Sequence, residues 1–246
     1  SAREVEIHLY ENDPGILRLL EENMKNCQEA MRAAGHSMSY RIISEDFILE
    51  YPPEERRPLF FNDERTAVYD GAILNPPYFK INKASPYARA MEHIVHGQPN
   101  IYALFLASAA ERLRPRGTLV AITPRSFCNG LYFRGFRRWF FERMSLRHVH
   151  VFQSRTHTFK EANVLQESII SVCDHVEKQS DRVTITSSFA RDFGNGMKGQ
   201  TLPASSVIDD TCGDLVIRIP ETEEDAQIIN HVESWPRRFS QLGLRI

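Results

Sequence analysis

No Cys-x-x-Cys pair occurs among the four cysteines, Cys27, Cys128, Cys173 and Cys212, which stand far apart in a chain of 246 residues. That spacing excludes a zinc ribbon or a disulfide framework and reads as the reduced thiols of a cytosolic protein. The nine histidines show no ligand spacing either; His148 and His150 alternate on an expected strand as surface or satisfied side chains, so no metal is expected. Long apolar runs are missing. Nothing approaches the ~20 residues of a membrane span, and the first residues lack the apolar core of a signal peptide, so no membrane partner is expected. A net charge of −2 argues neither for nor against a polyanionic partner.

What is present is an ordinary globular composition, 42% hydrophobic and 25% charged, enough to bury a sizeable core in one domain or one and a half. The charge is unevenly placed. From Arg112 to Lys160 there are eleven Lys/Arg against the single acid Glu142, whereas Ser44 to Asp70 carries eight acids against three arginines. Phe133, Phe136, Trp139, Phe140 and Phe141 lie among those arginines, so a strongly positive face of the kind nucleic acid needs is expected there.

The rest of the chain is organised around Tyr69-Asp70-Gly71-Ala72-Ile73-Leu74-Asn75-Pro76-Pro77-Tyr78, an apolar run that reads as a short buried central strand stopped by two prolines. Proline cannot donate to a ladder and fixes φ, so Asn-Pro-Pro forces the chain out of the sheet as a rigid turn. In an open α/β sheet the carboxyl edge, where this turn sits, is where ligands bind.

Asn75-Pro76-Pro77-Tyr78 resembles the catalytic motif of amino-group methyltransferases that use S-adenosylmethionine, above all the N6-adenine DNA methyltransferases of the restriction-modification type. The chemistry suits the residues. An exocyclic amine on an aromatic ring is a poor nucleophile, and two acceptors aimed at its N–H groups, the Asn75 amide oxygen and the Pro76 carbonyl, favour a lone pair directed at the sulfonium methyl. The resemblance makes Asn75, Pro76, Pro77 and Tyr78 the catalytic set, with Asn75 also beside the cofactor and Tyr78 stacked on the base.

The other motifs follow in the family's order. Val5 to Tyr10 reads as a strand, followed by Glu11-Asn12-Asp13-Pro14 and a helix whose apolar stripe includes Ile16, Leu20, Met24 and Met31 and which ends at Gly35. The resemblance makes Glu11 the ribose ligand. Tyr40-Arg41-Ile42-Ile43 is a further strand, and Asp46 and Phe47 after it resemble the pair that reads the cofactor adenine. Phe79 to Gly97 reads as polar, with Lys80, Lys83 and Arg89, and resembles the mobile loop over the target base. Asn100 to Leu113 is expected as an amphipathic helix, Thr118 to Thr123 as a buried strand, Phe133 to Met144 as a helix and Leu146 to Phe152 as a strand. The segment Arg155 to Glu167, leading into a last sheet strand Ser168 to Val172, resembles the motif that packs an aromatic beside the flipped adenine. Phe159 is that residue, with Arg155, Lys160 and Lys80 as DNA contacts.

The expected fold is therefore α/β, a doubly wound and mostly parallel sheet of the S-adenosylmethionine-dependent methyltransferase type, over residues 1–178. Residues 179–246 are expected to open a target-recognition or accessory region, including a short helix begun by Glu221-Thr222-Glu223-Glu224-Asp225. The family's Phe-x-Gly-x-Gly loop does not precede Glu11, which implies a fragment without the first strand, with S-adenosylmethionine binding by this chain alone weak or absent. The implied partners are double-stranded DNA and a restriction or specificity subunit or domain. Other enzymes sharing the motif, RNA adenine and protein glutamine methyltransferases, remain open, as does an inactive fragment that binds nucleic acid or a partner.

Overall fold

The structure is a computed structural model and describes residues 3–50, 69–92, 94, 100–152, 167–176, 179–188, 197–211 and 213–235. The chain divides into two compact units, Ser1–Arg57 and Pro58–Ile246.

The first unit is a strand–helix–strand. Strand β1 (Glu4–Tyr10) and β2 (Ser37–Ile43) pair in parallel from Glu4↔Ser37 to Tyr10↔Ile43, with α1 (Pro14–Ala33) crossing between them. Asp13 begins the helix by accepting from the Gly15 N–H, and Pro14 fills the first turn, where its missing N–H costs nothing. Gly35 ends the crossover with φ at +79°, a conformation a β-carbon resists.

The second unit holds a six-stranded sheet. Its elements in order are β3 (Tyr69–Leu74), α2 (Pro86–Ala90), α3 (Ile101–Arg112), β4 (Leu113–Pro124), α4 (Arg134–Phe141), β5 (Met144–Phe152), β6 (Ser168–His175), β7 (Arg182–Ser188) and β8 (Lys198–Pro203). After the sheet come α5 (Ala204–Val207), the short antiparallel pair β9 (Ile208–Asp209) and β10 (Val216–Ile217), and α6 (Glu223–Glu233). The sheet order is β3-β4-β6-β5-β7-β8. Strands β3, β4, β5 and β7 run one way, with β6 inserted antiparallel between β4 and β5 and β8 antiparallel at the far edge. No described helix is long and apolar enough to cross a membrane.

One sheet face forms the core. Leu119 and Ala121 on β4, Ile169 and Cys173 on β6, Leu146, Val149 and Val151 on β5, and Ile185 on β7 are all buried. Helix α3 packs against β3, β4 and α4, and α4 sets Phe136, Trp139, Phe140 and Phe141 into the interior. At ~25 cal/mol per Å² of apolar surface, these aromatic side chains are a large part of the driving force.

Four expectations need correction. Among the described residues β3 is an edge strand, paired with β4 alone, and Ile73 is 89% exposed. The apolar run concealed the two-residue period: Ala72 and Leu74 align with the buried Leu119 and Ala121, while Gly71 and Ile73 align with Thr118 and Val120 on the other face. Helix α3 is buried on nearly every side rather than amphipathic, its alanines allowing close approach to sheet and helix together. Phe79 onward is not a polar loop throughout, since Ile81, Ala88, Met91 and Ile94 are buried around α2. Finally, the boundary at residue 178 falls within the sheet, because β7 pairs with β5 and β8 with β7. The helix expected from the acidic run does form, with Thr222 and Asp225 as a reciprocal capping box.

The basic block is also used differently from what its composition suggests. Arg137 is fully buried and Arg112 is buried. Arg114 pairs with Asp70, Arg125 with Glu167 and Glu221, Arg134 with Asp214, Arg138 with Asp210, and Arg147 with Asp174. Arg143 lies over the Trp139 ring, 4.4 Å from its centroid. The interleaved aromatics are core, and much of the positive charge is matched within the fold.

Candidate active site

At the end of β3 the ladder stops where the prolines begin. Asn75 is exposed, Pro76 is buried, Pro77 is exposed and Tyr78 is half-buried. Among the described residues no N–H or O–H donates to the Pro76 carbonyl. The chain is then drawn back over the sheet. Ile101 N–H donates to Phe79 O at 3.0 Å, and Lys80 bridges to Asn100 in antiparallel fashion. Asn100 caps α3, which places Tyr102 in the first helical turn directly against the motif.

Tyr78 is held at both ends. Its ring meets Tyr102 edge-on at 6.2 Å and 88°, and its hydroxyl lies 2.9 Å from the Ile122 carbonyl of β4 and 3.2 Å from Asn75 Oδ1. Burial raises its pKa to about 12, so the phenol stays protonated across neutral pH. Tyr102 is itself fixed by a 3.0 Å hydroxyl contact to Ser126 and by Phe133, stacked at 5.4 Å and 27°. The loop after β4 that carries Ser126 and Phe133 is clamped by Arg137, whose guanidinium donates to the carbonyls of Phe127, Gly130, Asp214 and Leu215.

The site's edge is set by topology. Leu74 aligns with Ala121, Pro124 with Ser168, and Val151 with Ile169, so β3, β4 and β5 end, and β6 begins, at one edge of the sheet. Phe159, expected beside the flipped base, and Arg155 and Lys160, expected as DNA contacts, lie outside the described residues. Lys80 is exposed just after the motif.

Glu11 and Asp46 belong to the first unit, where the register Tyr10↔Ile43 puts both just past the carboxyl ends of paired parallel strands. Glu11 N–H donates to Ile43 O at 3.1 Å, and Glu11 Oε1 accepts from Asp13 N–H at 2.8 Å. Asp46 Oδ1 accepts from the N–H groups of Ile48 and Leu49, and Phe47 meets Tyr10 edge-on at 4.9 Å. Within the first unit Glu11, Asp46 and Phe47 follow the carboxyl ends of β1 and β2; within the second, Asn75, Pro76 and Tyr78 follow the carboxyl end of β3.

Sequence reasoning missed Tyr102, Ser126, Phe133 and Arg137 as supports of the motif. Asn100 before an apolar run signals a helix start, but nothing local shows that this start packs on Tyr78. Cys128 and Cys173 are buried free thiols, and burial lifts the Cys128 pKa to about 12, so it is no nucleophile at neutral pH.

The second unit is a mixed, mostly parallel α/β sheet with Asn75-Pro76-Pro77-Tyr78 at the carboxyl end of β3. Residues 14–159 match the description Eco57I restriction-modification methylase, and the chain belongs to that family. It is 38% identical over 178 residues, 72% of this chain, to the type II methyltransferase M.PstI of Providencia stuartii. It is 30% identical over 229 residues, 92% of this chain, to M.BsuBI of Bacillus subtilis. The matches span 35% and 44% of those two relatives. In structure it resembles a modification subunit of a putative type I restriction enzyme from Vibrio vulnificus, with a TM-score of 0.54, 11% identity, and coverage of 94% of this chain and 57% of that one. That likeness supports the shared fold.

Proposed function

We propose that the protein is the modification enzyme of a restriction-modification system and methylates the exocyclic N6 of an adenine turned out of duplex DNA. The observation that carries this reading is the exposed Asn75 at the end of β3, followed by the Pro76 carbonyl, to which no N–H or O–H donates among the described residues. One amide oxygen and one main-chain carbonyl equal in number the two hydrogens of an aromatic amine. Each accepts one, drawing the lone pair out of conjugation with the ring as the nitrogen reacts. Tyr78 offers a ring beside them, and Phe159 is assigned the second face of the base.

The residues of the first unit fit S-adenosylmethionine. A carboxylate retains acceptor capacity after taking one or two N–H groups, so Glu11 suits ribose hydroxyls and Asp46 the adenine amino group, with Phe47 against the ring. When bound, this cofactor supplies an electrophilic methyl on a sulfonium. The chain's own part is to bind, orient and polarise the acceptor amine. A specificity or restriction component is the partner this reading implies.

The test is Asn75→Ala in the intact protein. The Asn75 acceptor matters as the nitrogen reacts, so single-turnover methylation of adenine-containing duplex should fall by about 10²-fold or more while DNA affinity is retained. Retained methylation in that variant would remove the reading. Methylation of a protein glutamine or of RNA in place of DNA would replace its substrate.

A further inference from the structure

The hydroxyl of Tyr78 has one hydrogen and two oxygens within reach, Ile122 O at 2.9 Å and Asn75 Oδ1 at 3.2 Å. The Ile122 carbonyl can only accept, and it is the nearer. If it takes the hydrogen, the Asn75 oxygen would face the lone pairs of the phenol oxygen, an arrangement that gains nothing. An amide side chain has a remedy. Its oxygen and nitrogen ends are nearly equal in size, and a half-turn about its terminal bond exchanges them. The Asn75 Nδ2 then donates to Tyr78 Oη, and Oδ1 is carried to the other side, outward from Tyr78, at a residue that is exposed.

We propose that the Tyr78 hydroxyl is a positioning group that sets the Asn75 amide, through the relay Asn75 Nδ2–H to Tyr78 Oη–H to Ile122 O, with its oxygen toward the substrate amine. The inference rests on the methyltransferase reading above and adds to it a role for the hydroxyl that ring stacking does not require. The relay is anchored at its far end by a main-chain atom of β4, inside the sheet, which cannot rotate away. Its phenol is protonated over the whole neutral range and so keeps a hydrogen for Ile122. Without the hydroxyl the amide loses the group that distinguishes its ends, and part of the population presents Nδ2–H, a donor, to a substrate that itself has N–H groups to donate.

The experiment is a double-mutant cycle of Tyr78→Phe and Asn75→Asp in the intact protein, read by single-turnover methylation and by DNA affinity. Phenylalanine keeps the ring and removes only the hydroxyl. Aspartate is acceptor-only at both ends, so it has no wrong orientation. Tyr78→Phe should slow the methylation step about fivefold to tenfold, the size of one hydrogen bond's net contribution, with DNA affinity unchanged. In the Asn75→Asp background the same change should cost under about twofold. An equal loss in both backgrounds would show that the hydroxyl acts by holding the Tyr78 ring or the loop, and would overturn the inference. No loss in either background would overturn it as well. Asn75→Ala is run alongside: if it leaves methylation intact, the functional reading itself fails, whereas loss there with an indifferent Tyr78→Phe overturns only the relay.

Discussion

Arg137 shows what a single buried charge can do in this fold. Its guanidinium is planar with five donors, and the structure uses that fork to satisfy carbonyls from two separate segments, Phe127 and Gly130 before α4 and Asp214 and Leu215 after the sheet. The Phe127 carbonyl is bonded in a buried setting and the other three in part-buried ones. Arg137→Met should therefore lower the unfolding free energy by about 3–5 kcal/mol, the range for breaking a buried, hydrogen-bonded charged group. Urea denaturation measures it. Arg137→Lys should recover little, because an ammonium cannot fork to both segments, and a full recovery by lysine would show that charge rather than geometry matters. Asn75 and Tyr78 make the complementary case. Their residue types point to the proposed chemistry, but the atom that holds Tyr78, the Ile122 main-chain oxygen, carries no sequence identity and could not have been read.

At the level of the element, the sequence announced where strands and helices stop more clearly than which way they face. Proline at 76 and 77, Gly35 and the acidic run from Glu221 to Asp225 marked ends that the structure has. What escaped was tertiary: β3 reads as a buried apolar run yet leaves Ile73 in the open, and α3 reads as two-faced yet is enclosed by sheet and helix. Strand β5 carries a case that alternation alone could not decide. His148 and His150 lie on the face away from the main core, and both reach the Thr186 hydroxyl of β7, at 2.7 and 2.9 Å, with His150 also 3.0 Å from Ser188. One hydroxyl has one hydrogen, so it donates to one ring and accepts from the other, which suits two neutral imidazoles. Burial lowers the pKa of both, helped by Arg147 beside His148 and by His148 beside His150. The folded values lie below the unfolded ~6.5, so the fold binds fewer protons than the unfolded chain in that window. Stability should be full above about pH 6.5 and decline as pH falls through that value toward the folded pKa. Urea midpoints between about pH 5 and 8 test this, and His150→Gln should flatten the lower limb; an unchanged slope would place the titration elsewhere.

For the whole molecule the question that the proposed function raises is which positive charges would meet DNA. The eleven basic residues from Arg112 to Lys160 look in sequence like a footprint for a polyanion. In the fold, Arg134 and Arg138 on α4 instead join the segment after the sheet, through Asp214 for one and through Gly213 O and Asp210 for the other. Arg218 continues that stitching to Asp209 and Glu233. A cation already beside a carboxylate has little counterion atmosphere to exchange, and a phosphate would have to displace its partner. Phosphate contacts reveal themselves in salt dependence, each contributing about 0.9 to the slope of log affinity against log salt. In the intact protein on duplex DNA, Arg134→Gln and Arg138→Gln should leave that slope unchanged, and should lower stability by no more than ~1 kcal/mol each, as exposed pairs do. Arg155→Gln and Lys160→Gln, at residues that the family resemblance makes DNA contacts, should each reduce the slope by about one. Affinity titrations from ~50 to 200 mM salt on the four variants decide the matter. A reduced slope for Arg134→Gln or Arg138→Gln would mean that these pairs open on binding and that α4 faces the phosphates; an unchanged slope for both Arg155→Gln and Lys160→Gln would move the footprint away from the connection between β5 and β6.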